Sequence, residues 1–289
     1  MGIFLGGSTN ALATGIKNNR NLSQSFEKPV QSYDIAIWVD SMNRYLEYES
    51  VDKALNGTKL KCGDSFAEIL RKLLREHESS VNLIIGDILN VASTGALIEL
   101  AFYDCLKTNA RDMAVFRAFA PNFIPGRTII LQQDFFYESA AYNKIRQEYF
   151  YEYFEYLGQV STTAVFRLTH QIPSFKIESD PVSALPLQDK IELLCRAAAR
   201  ASDNKTRILT QLSVVEFLID EKQFELAAQY LGKTESEMSL LSLDEITRRP
   251  QIIAGGFKRR IESRSEEHTT ELKSRRKIVC PLRLVQKKT

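Results

Sequence analysis

Gly2-Ile3-Phe4-Leu5-Gly6-Gly7-Ser8-Thr9 stands at the head of the chain, and how this stretch is read decides the fold. Its three glycines let the backbone bend sharply and let another group approach where a Cβ would otherwise stand. Ser8 and Thr9 are expected to cap the helix that follows, whose Leu12, Ile16 and intervening alanines give it an apolar side. The free N–H groups at the start of that helix would face a ligand carboxylate or hydroxyl. An ordinary turn before a helix has the same look, so the decision passes to the rest of the chain.

With 289 residues, 44% of them hydrophobic and 26% charged, the chain can bury one good core and an appendage. No apolar run reaches the ~20 residues of a membrane span, and no signal-peptide pattern precedes the glycines, which points to a cytoplasmic protein with no membrane partner. Cys62, Cys105, Cys195 and Cys280 are scattered and read as isolated thiols. With only His77, His170 and His268, a histidine-rich metal site is not expected. From Lys258 to Thr289 there are 11 Lys/Arg against 4 Asp/Glu, net +7, so the chain's overall +2 leaves −5 for residues 1–257. The basic surplus belongs to a tail and not to the body, which argues against a nucleic-acid partner.

After the first helix, residues 29–34 read as a short strand ending in Asp34. A carboxylate in that place accepts ribose hydroxyls in nucleotide-binding α/β units, and it equally suits a plain turn. Residues 35–48, around Trp38, are a lid or core packing. Ser65-Phe66-Ala67-Glu68 has the capping-box pattern ahead of a helix with Phe66, Ile69, Leu70, Leu73 and Leu74 on one face. Val81–Ile85 reads as a buried strand running into Gly86-Asp87. Residues 98–104 are the next strand, ending in Asp104; helical spacing over 113–123 follows, then a strand at 128–131 leading to Gln132-Gln133-Asp134. Strands alternating with amphipathic helices predict an open, mostly parallel sheet, in which Asp34, Asp87, Asp104 and Asp134 would line the ligand-binding edge. A tyrosine-rich helix is expected over 142–156, its aromatic stripe more in keeping with core than with a ligand cage. Residues 163–168 are a strand too close to the preceding element for a crossover, hence an antiparallel edge hairpin. Helices are expected over 187–201 and 206–231.

On these residues the chain resembles class I S-adenosylmethionine-dependent methyltransferases, in the macrocin-O-methyltransferase-like branch, over about residues 2–172. The resemblance implies a Rossmann-like sheet with an antiparallel edge hairpin and a C-terminal helical appendage. Gly2, Gly6, Gly7 and Ser8 would hold the methionine part of S-adenosylmethionine, Asp34 its ribose, and Asp87 its adenine. Asp104-Cys105-Leu106-Lys107 is similar to the D-x-x-K of metal-assisted O-methyltransferases, which would make Asp104, Lys107 and Asp134 positioning or base residues. Magnesium would fall to Asp104, Gln133 and Asp134, with an amide where the family commonly has an acid or an Asp-Asn pair; such a set is weak for an ion that wants hard oxygen ligands. Lys107 is equally read as a solvated helix-start lysine.

The expected function is methyl transfer to an oxygen of a small-molecule acceptor. The alternative is a non-catalytic fragment or degenerate domain that associates, as a homodimer for example, through its C-terminal helices. A dinucleotide-dependent oxidoreductase is disfavoured, because the glycines lack G-x-G-x-x-G spacing. The family's first central strand precedes the glycine motif, so a chain starting Met1-Gly2 is expected to be N-terminally incomplete. The expected organisation is therefore a methyltransferase domain over 1–178, a helical appendage over 179–262, and a non-native or disordered tail over 263–289. Within that tail, residues 264–274 are similar to the conceptual translation of a common sequencing adapter.

Overall fold

The computed structural model describes residues 6–19, 28–241 and 249–264. It is a mixed α/β protein whose chain divides into two compact units, one of residues 1–131 with 170–179, the other of 132–169 with 180–289. The strand segment 132–169 therefore groups with the C-terminal helices, and not with the strands before it.

In the first unit, helix α1 (Gly7–Asn18) precedes β1 (Val30–Asp34), which pairs in parallel with β2 (Val81–Ile85) from Val30↔Val81 to Asp34↔Ile85. Between these strands run the short helices α2 (Glu49–Leu55) and α3 (Ala67–Leu73). Trp38, Phe66 and Leu70 are buried there, so residues around Trp38 serve as core, with the Trp38 ring edge-on to Phe66. The expected capping box at α3 does not close. Phe66 takes the N-cap position, the Ser65 hydroxyl accepts from Ala67 N–H two residues on at 3.3 Å, and Glu68 pairs with Arg71. β3 (Leu100–Tyr103) begins two residues later than the pattern suggested, because Ile98 makes only an isolated bridge to Phe123. β3 lies beside β4 (Ile129–Gln132), with α4 (Asn109–Phe119) between them in sequence and capped by the Thr108 hydroxyl. α6 (Ser174–Glu178) closes this unit, its Glu178 carbonyl accepting from Arg117 at 2.7 Å.

In the second unit, α5 (Ala141–Tyr149) stops well short of residue 156. Phe154–Val160 is instead strand β5, antiparallel to β6 (Thr163–Leu168) with a bulge at Gly158, so the edge hairpin is present and the aromatic stripe over 149–157 is not one helical face. The reason lies in what α5 buries. Its inward residues are Asn143, Lys144, Ile145, Arg146, Gln147 and Glu148, anchored by ion pairs of Glu148 to Arg200 and of Arg146 to Asp180. Phe150 caps the helix, Tyr151–Tyr153 form a 3-10 turn, and Phe154 and Tyr156 enter the strand, where aromatic residues are favoured. α7 (Leu187–Ala199), α8 (Asn204–Asp220) and α9 (Phe224–Ser239) pack in sequence. The expected single helix over 206–231 is broken at Lys222, whose φ of 58° is left-handed. A further helix, α10, covers 249–264 and buries Ala254, Phe257 and Ile261 at helical spacing. The tail expected from residue 263 thus starts inside a helix; residues 265–289 lie outside the described residues. Among the described residues, no helix is long and apolar enough to cross a membrane.

Candidate functional site at the strand ends

Gly6 is the N-cap of α1, in the left-handed region at φ 83°, with its carbonyl accepting from Asn10 N–H at 2.8 Å. No side chain caps the helix, contrary to the expectation for Ser8 and Thr9. Thr9 is used otherwise: its hydroxyl meets that of Ser32 at 2.9 Å, tying the first turn of α1 to β1 two residues before Asp34. His77 adds a second tether through Asn10 Oδ1 at 2.7 Å. The N–H groups at the start of α1 are thereby fixed relative to the end of β1. Gly2 lies outside the described residues.

The two glycines differ in what they leave room for. A Cβ on Gly6 would stand 3.2 Å from Leu74 Cδ2, whereas one on Gly7 or on Gly86 would meet nothing within 4 Å among the described residues. Gly6 is required by its backbone conformation and packing; Gly7 and Gly86 leave open space in which another molecule can come close to the main chain.

Asp34 and Gly86-Asp87 are brought side by side, since Gly86 N–H donates to the Asp34 carbonyl at 2.9 Å. Each acid also has a local task. Asp34 Oδ1 accepts from Ala36 N–H at 2.7 Å, holding Ala36 at a left-handed φ of 51°, and Asp87 Oδ1 accepts from Leu89 N–H at 3.0 Å. These are turn roles.

Asp104 follows β3 directly, with Lys107 Nζ 4.0 Å from its Oδ1. Between them, burial pushes the Cys105 thiol up to about 11, with the carboxylates of Asp104 and Asp34 adding to the rise. Tyr103 is raised as well, chiefly by burial.

Gln133 and Asp134 belong to the second unit. Asp134 is left-handed at φ 60°, and its Oδ1 accepts from the Thr162 hydroxyl at 3.4 Å. Among the described residues no three His, Cys, Asp or Glu side chains form a group that could hold a metal ion, and the cation beside Asp104 is Lys107. The set expected for magnesium, Asp104, Gln133 and Asp134, brings an amide where a third hard oxygen charge would stand.

One titratable residue escaped the sequence reading. Glu138, in the turn after β4, has its carboxyl pushed up to about 7 by burial. No spacing, glycine or motif around Ser139-Ala140-Ala141 marks it, because its environment is made by helices far along the chain.

The chain matches no protein-family model and no curated protein sequence.

Proposed function

We propose that the chain binds S-adenosylmethionine at the strand ends of its first unit and transfers the methyl group to an oxygen of a small-molecule acceptor, on a Rossmann-like sheet of the methyltransferase kind. The observation that carries this reading is the adjacency of Asp34 and Gly86, joined by a main-chain hydrogen bond of 2.9 Å, with α1 tied to the same strand through Thr9 and Ser32. In open parallel sheets a ligand binds beyond the carboxyl ends of the strands, where helix N-termini and strand-end acids meet. The open space over Gly7 and Gly86 fits a molecule lying against the main chain there.

The cofactor supplies an activated methyl group with a neutral leaving group, so the protein has little covalent chemistry to perform. Its part is to align the acceptor and take up its proton. Asp104 and Lys107 stand at the end of β3 for that purpose, with the lysine near enough to the acid to orient it.

Isothermal titration with S-adenosylmethionine, S-adenosylhomocysteine and NAD tests the assignment. Binding of the first two, weakened by Asp34→Ala, is expected. Binding of NAD alone, or of none of the three, overturns it.

A further inference from the structure

The turn between β4 and α5 is left-handed near both ends, at Asp134 (φ 60°) and at Ala140 (φ 63°). Non-glycine residues in that region are strained and persist only where the surroundings hold them. The surroundings here are explicit. Phe135 and Phe136 are fully buried, and Phe136 N–H donates to the Thr162 carbonyl at 3.0 Å. Tyr137 stacks against the Arg249 guanidinium at 4.5 Å. On the far side, the ammonium of the fully buried Lys144 donates to the carbonyls of Ser139 and of Ala140, the latter at 3.3 Å.

Glu138 sits between these two sets of anchors. Its Oε2 is sealed from solvent and has no hydrogen-bond partner among the described residues. The charged groups around it are Glu216 on α8, Lys144 on α5 and Asp134 in the same turn. Glu216 in turn faces Asp220 on α8 and Arg260 on α10, the latter at 3.6 Å. A carboxylate with one sealed, unpartnered oxygen opposite a second carboxylate is poorly accommodated, whereas the neutral acid carries no such penalty.

We propose that the segment from Tyr137 to Ala140 is a proton-sensitive turn, closed when Glu138 is neutral and opening when Glu138 is ionised. Opening lets the carboxylate reach water and draw away from Glu216, at the cost of the contacts of Lys144 with the Ser139 and Ala140 carbonyls. The direction follows from the raised carboxyl: the closed form holds its proton up to about pH 7, so rising pH favours the open form. The open fraction grows by up to about tenfold per pH unit between the carboxyl's ordinary 4.5 and about 7, and levels off above, where both forms are ionised.

Hydrogen exchange of the full chain across this range, corrected for the intrinsic pH dependence of amide exchange, tests the inference without any cofactor. In the wild type the protection of residues 137–140 is expected to fall nearly tenfold from roughly pH 5.5 to roughly pH 6.5 and to level off above about pH 7. In Glu138→Gln it should stay flat. In Glu216→Gln the fall should level off at lower pH and be smaller in all, since a charge that raises the closed-form carboxyl has gone; this second variant also decides the matter if Glu138→Gln fails to fold. A flat wild-type profile, the same fall in Glu138→Gln, or a wild-type fall of unchanged size and levelling point in Glu216→Gln would each overturn it.

Discussion

Gly6 and Gly7 are adjacent and make opposite demands. At Gly6 an added Cβ must adopt φ 83° and approach Leu74 at 3.2 Å, so Gly6→Ala is expected to destabilise by about 1–2 kcal/mol and lower Tm. At Gly7, in the first turn of α1 with open space outside, Gly7→Ala should hold or raise Tm, by about 0.4–1 kcal/mol of stability, while weakening S-adenosylmethionine binding. Melting scans paired with titrations separate the two. Unchanged affinity in a fully folded Gly7→Ala would mean that the ligand does not lie against this main chain. Glu138 gives a residue-scale prediction of another kind. Its folded-state value of about 7 is above its ordinary 4.5, so the fold is favoured at low pH and loses that contribution as pH rises through about 7. With partial exposure discounting the effect, Glu138→Gln should gain roughly 1–2 kcal/mol above about pH 8 and nothing below about pH 4. A stability gain that is the same at both extremes would contradict this.

At the scale of elements, α5 is unusual in what it buries. Gln147 on this helix accepts from Gln132 Nε2 at 2.7 Å, yet Gln132 Oε1, Gln147 Nε2 and Asn143 Oδ1 have no partner among the described residues. Losing one partner of a buried pair leaves the other unsatisfied, whereas replacing both by apolar groups removes the problem. Gln147→Met alone should therefore cost about 1–3 kcal/mol, and Gln132→Met with Gln147→Met less than the sum of the single changes. Additive effects in denaturant melts would show that the amide pair is not coupled. This buried polar face also explains where sequence reading failed. β2 was legible because its largely apolar run stops at Gly86, and β1 because the residues after Pro29 end in the turn-forming Asp34. The end of α5 was not, since Tyr149 through Leu157 fits a helical stripe as well as an alternating strand. What decides between them is Glu148, held by Arg200 from a helix about fifty residues later. The same limit hid Glu138. Among the site residues, Asp34 and Asp87 were visible as strand-end acids, but their use of one oxygen each in Ala36 and Leu89 turns could not be told apart from ligand binding by spacing.

For the molecule as a whole, the expected cofactor contacts Gly6, Gly7, Ser8, Asp34 and Asp87 all fall in one unit, whereas Asp134 and the proton-sensitive turn fall in the other. A ligand stabilises only the structure whose opening would destroy its site. S-adenosylmethionine at about 100 times its Kd contributes about 2.7 kcal/mol against that opening, which is about a hundredfold slower exchange for amides that need it. Hydrogen exchange with and without S-adenosylmethionine should then show slowing in α1, β1 and β2, with α7 to α9 unchanged. Slowing confined to α7 to α9 would place the ligand in the wrong unit and sink the assignment of the glycine turn. Slowing of equal size everywhere would show instead that the two units open as one, and the paired melting and binding behaviour of Gly7→Ala would then carry the decision about the site. The pH experiment on Glu138 is independent of either result, because it reads residues 137–140 in the absence of ligand.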